Sequence, residues 1–472
     1  MMSVPLALFA ALAPLATPTL PSIPAEVFTL PNGLRVILSE DHTAPVVGID
    51  ILYNVGSKDE RPGRTGFAHL FEHLMFEGSE HVPKGEADRL IEAAGGNANG
   101  GTRSDSTEYW EQVPSNALEQ MLFIESDRMG FLLPTLVQAK LDNQRDVVRN
   151  ERRQSYEMRP YGLAPITLAA NLWDPEFPYH WLPIGSHEDL EAASLEDVRD
   201  FFQRYYNPRN ATLAIAGDFD PKKTRALVAK WFGALPGGSP PARTYPAPKP
   251  LTEEKRVALE DDVQLPRIYV AWQSPKVYAP GDAALDVLGQ ILTDGKSARL
   301  VKRLVMDERI AQGVEASQQS EILAGTFMIV ATPKPEQSLD RIRKEIDEEV
   351  ARLAQEPPSE VELARAKTKI ESNMIFALEP VGGFGGRAAA LNSYQLLAGD
   401  PLFFPKDLER YRQVTAADVQ QAAATWLRPD ARVILTVMPR AKTPAPAKSG
   451  AAQPSGSAHP ARPAHQKTEG NK

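Results

Sequence analysis

The chain has no cysteine among its 472 residues, which excludes a disulfide framework and a thiolate metal site. It also lacks any apolar run of transmembrane length; the longest candidate, residues 4–16 (VPLALFAALAPLA), is too short to span a bilayer. Charge of either sign is modest. A net −9, with 24% charged residues, gives no sign of a nucleic-acid footprint. Residues 441–472 contain no Val, Ile, Leu, Met or aromatic residue, which predicts a disordered tail outside the fold. Histidine is scarce, with eight in the whole chain, so its placement is informative.

Three residues that do chemistry together, two histidines and a glutamate, stand within the five residues His69-Leu70-Phe71-Glu72-His73. At about 100° per residue, His69, Glu72 and His73 share roughly a third of a helix circumference. Phe67, Leu70, Phe71 and Leu74 cluster on the opposite side, so the segment is predicted to be an amphipathic helix ending near Gly78. Two imidazoles four residues apart can bind one zinc ion, with Glu72 beside it as a proton acceptor. The spacing is the inverted zinc-peptidase motif, H-x-x-E-H. Catalytic zinc usually takes a third protein ligand. Leu141–Gln154 reads as a second, highly polar helix, in which Glu151 is one of several acids.

The motif, its distance to "VVRNERRQ" (147–154) and the phrase "YYNPRNATLAIAGDFDP" (205–221) resemble the pitrilysin and insulin-degrading-enzyme family. The likeness is closest to the short bacterial peptidases and the mitochondrial processing peptidase, and it covers about residues 25–440. It implies a zinc metalloendopeptidase with His69, His73 and Glu151 as ligands and Glu72 as base. One position departs from the family: Gln144, seven residues before Glu151, stands where relatives often carry an acid. A neutral amide there removes a charge behind the ligands without removing a ligand.

The rest of the chain is organised by an internal duplication. "SLEDVRDFFQRYYNPRNATLAIAG" (194–217) and "TAADVQQAAATWLRPDARVILTVM" (415–438) each place an Asp-Val pair at the same spacing before a proline turn and a β-branched strand. Between the copies, residues 236–250 hold six prolines in fifteen positions and read as an extended linker. The predicted fold is therefore α+β, with two homologous halves, 25–235 and 257–440, joined by a linker over 236–256. The resemblance makes each half a mainly antiparallel sheet covered by helices, and the pair half of a clamshell. Where the first half carries its histidines, the second has "VLGQILTDGKSARL" (287–300), with none. Its Gly295-Lys296-Ser297 triplet is no phosphate loop, because Gln290 stands where that loop needs glycine.

Two further segments bear on substrate. Residues 99–110 read as a strand following a Gly-rich turn, and taken alone as an ordinary solvated edge. In the family this edge takes the substrate as an added strand through main-chain hydrogen bonds, which nominates Asn99, Gly100 and Thr102. In "VGGFGGRAAALNSYQ" (381–395), Arg387 and Tyr394 are seven apart and share one helical face. On their own they read as a surface arginine and a half-buried tyrosine. The resemblance instead has them reach the scissile carbonyl as it becomes an oxyanion.

Family members enclose a chamber with four such halves, so two halves imply a dimer, either with a second copy or with a metal-free paralogue. Such a chamber implies peptide or unfolded polypeptide substrates. The competing reading is a scaffold or peptide-binding subunit of the same fold without activity. Residues 1–24 read as an export signal, although Pro14 follows Ala11-Leu12-Ala13 at once and no Lys or Arg precedes Arg35. That expectation makes the chain periplasmic or secreted; a buried terminal segment in a cytoplasmic chain is the alternative.

Overall fold

The computed structural model describes residues 22–440; the expected export signal, up to Pro21, and the expected tail at 441–472 lie outside the described residues. Six strands form the first sheet: β1 (Glu26–Thr29), β2 (Arg35–Glu40), β3 (Val46–Tyr53), β4 (Asn97–Thr102), β5 (Thr107–Pro114) and β6 (Ala211–Gly217). Five form the second: β7 (Lys255–Asp261), β8 (Arg267–Ser274), β9 (Ala311–Ser320), β10 (Gly325–Pro333) and β11 (Val433–Pro439). The orders are β1-β2-β6-β3-β5-β4 and β7-β11-β8-β10-β9. Pairing is antiparallel except for β2 with β6 and β7 with β11, which are parallel. Omitting β1, the two orders superimpose strand for strand, as the duplication requires. Its repeated helices are Leu195–Tyr205 and Ala416–Trp426, and each begins with the same device. Ser194 caps the first and Thr415 the second, and Asp197 and Asp418 return the bond as capping boxes.

The halves are nevertheless interlocked, and the residues through Pro439 form one compact unit. The Ala164–Leu172 helix, from the first half, packs on β8 and β11 of the second sheet. Reciprocally, the Arg387–Ala398 helix, from the second half, lies on β2, β3 and β6. The strand period of two separates the faces involved. Val36, Leu38, Ile49, Ile51, Leu213 and Ile215 point to the first half's own helices. Ile37, Ala214 and Ala216 point to Ala388 and Leu391 on the visiting helix. The Pro-rich segment contains no helix or strand before Lys255, yet it is tied down. Arg243 bonds Asp59 and Asn210, and Tyr245 bonds Asp59.

Two details of the sequence reading change. The motif helix runs from Phe67 to Leu74 and stops short of Gly78, which instead turns the chain with φ +82°. Residues 99–110 are not one strand: β4 and β5 form a hairpin around Arg103–Ser106, and the glycines lie within β4 rather than in a preceding turn. Close packing on both faces explains them. A Cβ on Gly100 would lie 3.1 Å from the Phe76 ring, and one on Gly101 would lie 2.8 Å from the Phe384 ring.

Candidate metal centre and edge strand

The motif helix starts at Gly66, whose φ of +86° suits glycine and whose backbone would lie 2.5 Å from a Cβ on Gly185. Its first free amides are satisfied from a distance. The Glu60 carboxylate accepts from Gly66 N at 3.0 Å and Ala68 N at 2.8 Å, and Trp181 Nε1 donates to it at 3.0 Å. Phe67, Leu70, Phe71 and Leu74 are buried as the periodicity predicts, with Phe71 against Phe202 and Tyr206. That packing fixes the opposite face, where the two histidines and Glu72 stand.

A second helix, Gln138–Arg152, packs against the first and ends in a wide π-type turn over Arg153–Glu157. Its buried Leu141 and Val148 seat it, and Glu151 then projects to the histidines. Glu151 Oε2 lies 3.6 Å from His69 Nε2 and 3.3 Å from His73 Nε2. Ligand atoms of His69, Glu72 and His73 all fall within 4.8 Å of one another. Tetrahedral ligands at about 2.0–2.1 Å from a zinc ion are separated by roughly 3.3–3.4 Å along each edge. The two Glu151–histidine separations are close to that edge length, and the histidine and Glu72 ligand atoms lie within 4.8 Å of one another, so the cluster has the donor types and the spacing that could hold a zinc ion.

The electrostatics agree with a cation site. Burial pulls the His69 imidazole down to about 4, so this ring is neutral, as a ligand must be. Burial acts the same way on His73, but the Glu151 hydrogen bond and the Glu72 charge outweigh it and raise its pKa. The bond from His73 holds Glu151 below the usual carboxylate range. Glu72 moves the other way: burial raises it, opposed by a hydrogen bond from Thr102 Oγ1 to its Oε2 at 2.7 Å. A buried carboxylate whose pKa is raised suits general-base work.

Thr102 is where the structure adds a role. The sequence nominated it with Asn99 and Gly100 as part of a substrate strand, and all three lie on β4, the free edge of the first sheet. The structure shows in addition that Thr102 holds Glu72, a contact across thirty residues with no local signal. Replacing Thr102 by valine is expected to lower kcat by about three- to tenfold while zinc content stays at wild type, since one hydrogen bond to a charged group is lost. Steady-state kinetics alongside metal analysis check this. Gln144, the family departure, is buried and donates through Nε2 to Glu77 Oε1 at 2.5 Å, while Lys84 bonds the same oxygen at 2.5 Å.

Arg387 and Tyr394 are not brought to this cluster. Their helix covers the face of the first sheet opposite to the motif helix. Both side chains are engaged there: Arg387 pairs with Asp41 at 2.5 Å and bonds the Leu378 carbonyl, and Tyr394 donates to Asp407 at 3.1 Å. Helical spacing put them on one face of a helix; it did not say which sheet face that helix would cover. In the second half, Gly281 opens the Asp282–Thr293 helix with φ +93°, as Gly66 opens the motif helix. Counting from these glycines, Ala284, Val287 and Leu288 occupy the places of His69, Glu72 and His73. The metal-free counterpart thus lies slightly earlier than the 287–300 segment, and it is apolar.

Residues 35–174 match the family model described as Insulinase (Peptidase family M16), and residues 192–370 match Peptidase M16 inactive domain. The chain belongs to peptidase family M16. The zinc protease PqqE of Helicobacter pylori is 29% identical over 365 residues, covering 76% of this chain and 82% of that protein. A probable mitochondrial-processing peptidase subunit beta of Arabidopsis thaliana is 24% identical over 370 residues, covering 75% and 67% respectively. The crystal structure of a protease from Helicobacter pylori superposes with a TM-score of 0.81 at 26% identity, over 89% of this chain and all of that one. The fold is thus that of the half-clamshell M16 proteins, and the Helicobacter pylori relative PqqE is named a zinc protease. Among the described residues no helix is long and apolar enough to cross a membrane.

Proposed function

We propose that this chain is a zinc-dependent endopeptidase that hydrolyses peptides or unfolded polypeptides. The observation that carries the reading is the convergence of the Glu151 carboxylate on His69 and His73, at 3.6 and 3.3 Å, with Glu72 beside the two histidines. Zinc, when bound, supplies Lewis acidity, which lowers the pKa of water towards neutrality and polarises the scissile carbonyl. The residues of this chain do the rest. His69, His73 and Glu151 hold the ion, and Thr102 holds the Glu72 carboxylate beside the cluster. Glu72 takes the proton of the attacking water and returns it to the leaving amine. The free edge of β4 binds the substrate main chain as an added strand, which aligns a backbone carbonyl without demanding a particular sequence.

In this reading the chamber is completed by a partner, a second copy or a metal-free paralogue, and excludes folded proteins by size. The oxyanion donors are not assigned to Arg387 and Tyr394, whose hydrogen bonds turn inward to acids of their own chain. Export to the periplasm or beyond belongs to the same proposal and rests on residues 4–16. The test is cleavage of an unfolded, internally quenched peptide before and after chelation. Loss of cleavage with chelator and its recovery on adding zinc are expected. Cleavage indifferent to a chelator that strips the metal would overturn the proposal.

A further inference from the structure

The glycine cluster of residues 381–386 plays no part in the mechanism above, yet it is built against the proposed substrate edge. Gly48 of β3 and Gly382 meet so closely that a Cβ on Gly48 would lie 2.5 Å from the Gly382 backbone. This contact lays the loop on the sheet face that the Arg387–Ala398 helix also covers. Gly383 and Gly385 have φ of +84° and +75°, and between them they hold up Phe384, which is 47% exposed. Its ring lies edge-on to Trp110, with centroids 5.6 Å apart, and directly over Gly101. Trp110 is itself nearly buried, and its Nε1 has no hydrogen-bond partner among the described residues.

β4 therefore separates two different surfaces. Thr102 and Gly100 face the motif helix, through Glu72 and Phe76, whereas Gly101 faces Phe384. Asn99 pairs with Trp110 across the ladder and shares that second face. A peptide that extends the sheet at β4 must send alternate side chains to the two surfaces. One set meets the metal cluster. The other meets the half-exposed Phe384 ring, which Trp110 backs from beneath.

We propose that Phe384, backed by Trp110, is a specificity-determining residue that selects an aromatic or large aliphatic substrate side chain within two residues of the cleaved bond. The inference rests on the peptidase reading and on strand addition at β4. It assigns a side-chain preference to a binding mode that otherwise reads only main chain.

The test uses the full zinc-loaded chain and peptides differing only in one residue, Phe, Leu, Ala or Ser, stepped through the positions flanking the cleaved bond. At one position, Phe and Leu should exceed Ser by about tenfold or more in kcat/KM, the scale of one apolar group entering a hydrophobic pocket. Phe384→Ala should bring that ratio below about threefold, and Phe384→Leu should keep part of it. Binding of the same peptides to Glu72→Gln, followed by fluorescence anisotropy, reads the preference without turnover. Failure of cleavage alone would thus count against the peptidase reading, while the binding series still decides this one. A preference that survives Phe384→Ala would overturn the proposal. So would an equal fall for every peptide in both variants.

Discussion

Glu72→Gln is expected to lose about 10³-fold in kcat while binding zinc as tightly as the wild type. The glutamine keeps the shape and can still accept the Thr102 hydrogen bond, but it cannot take a proton from water. The motif helix should be undisturbed, because its packing face is Phe67, Leu70, Phe71 and Leu74 and its amides are held by Glu60. Since the lost function belongs to the transition state, kcat and kcat/KM should fall together with little change in peptide affinity. Metal analysis, melting temperature and single-turnover cleavage on the same preparation separate these quantities. Activity within a few-fold of wild type would remove Glu72 from the chemistry.

Glu151→Gln is expected to act differently, through the metal. Glu151 brings a carboxylate oxygen to both Nε2 atoms, at 3.3 and 3.6 Å. Changes behind a zinc ligand commonly cost 10- to 100-fold in affinity, so loss of the anionic ligand itself should cost more than about 100-fold. Competition with a fluorescent zinc chelator measures it. Activity should return in part at high free zinc, which Glu72→Gln should not show. Coincident behaviour of the two variants would mean that Glu151 and Glu72 do not divide the work as the geometry suggests.

How much of this could be read from the sequence differed from residue to residue. The histidines and Glu72 were legible because an i, i+3, i+4 relation on one helix is local, and their hydrophobic backing was legible for the same reason. Glu151 was not distinguishable from its helical neighbours by spacing. It reaches the histidines only because Leu141 and Val148 pack its helix against the motif helix. The duplication was visible down to its start signals, since Ser194 with Asp197 and Thr415 with Asp418 are local capping boxes.

What stayed hidden was long-range. Arg387 and Tyr394 had the right spacing, but the exchange of helices between the halves carries them to the far face of the first sheet. The glycines of β4 looked like a turn because nothing local shows that Phe76 and Phe384 crowd the strand from both sides. Thr102, thirty residues from Glu72, is positioned by the sheet edge meeting the motif helix. Each miss is a contact whose partners are brought together by the fold rather than by the helix or strand period.

The most direct measurement of the central claim is anomalous diffraction at the zinc edge from crystals of the zinc-loaded protein. A single strong peak is expected about 2.0–2.2 Å from His69 Nε2, His73 Nε2 and a Glu151 carboxylate oxygen, with Glu72 outside the ligand set. A peak elsewhere, or one ligated by Glu72 in place of Glu151, would contradict the account.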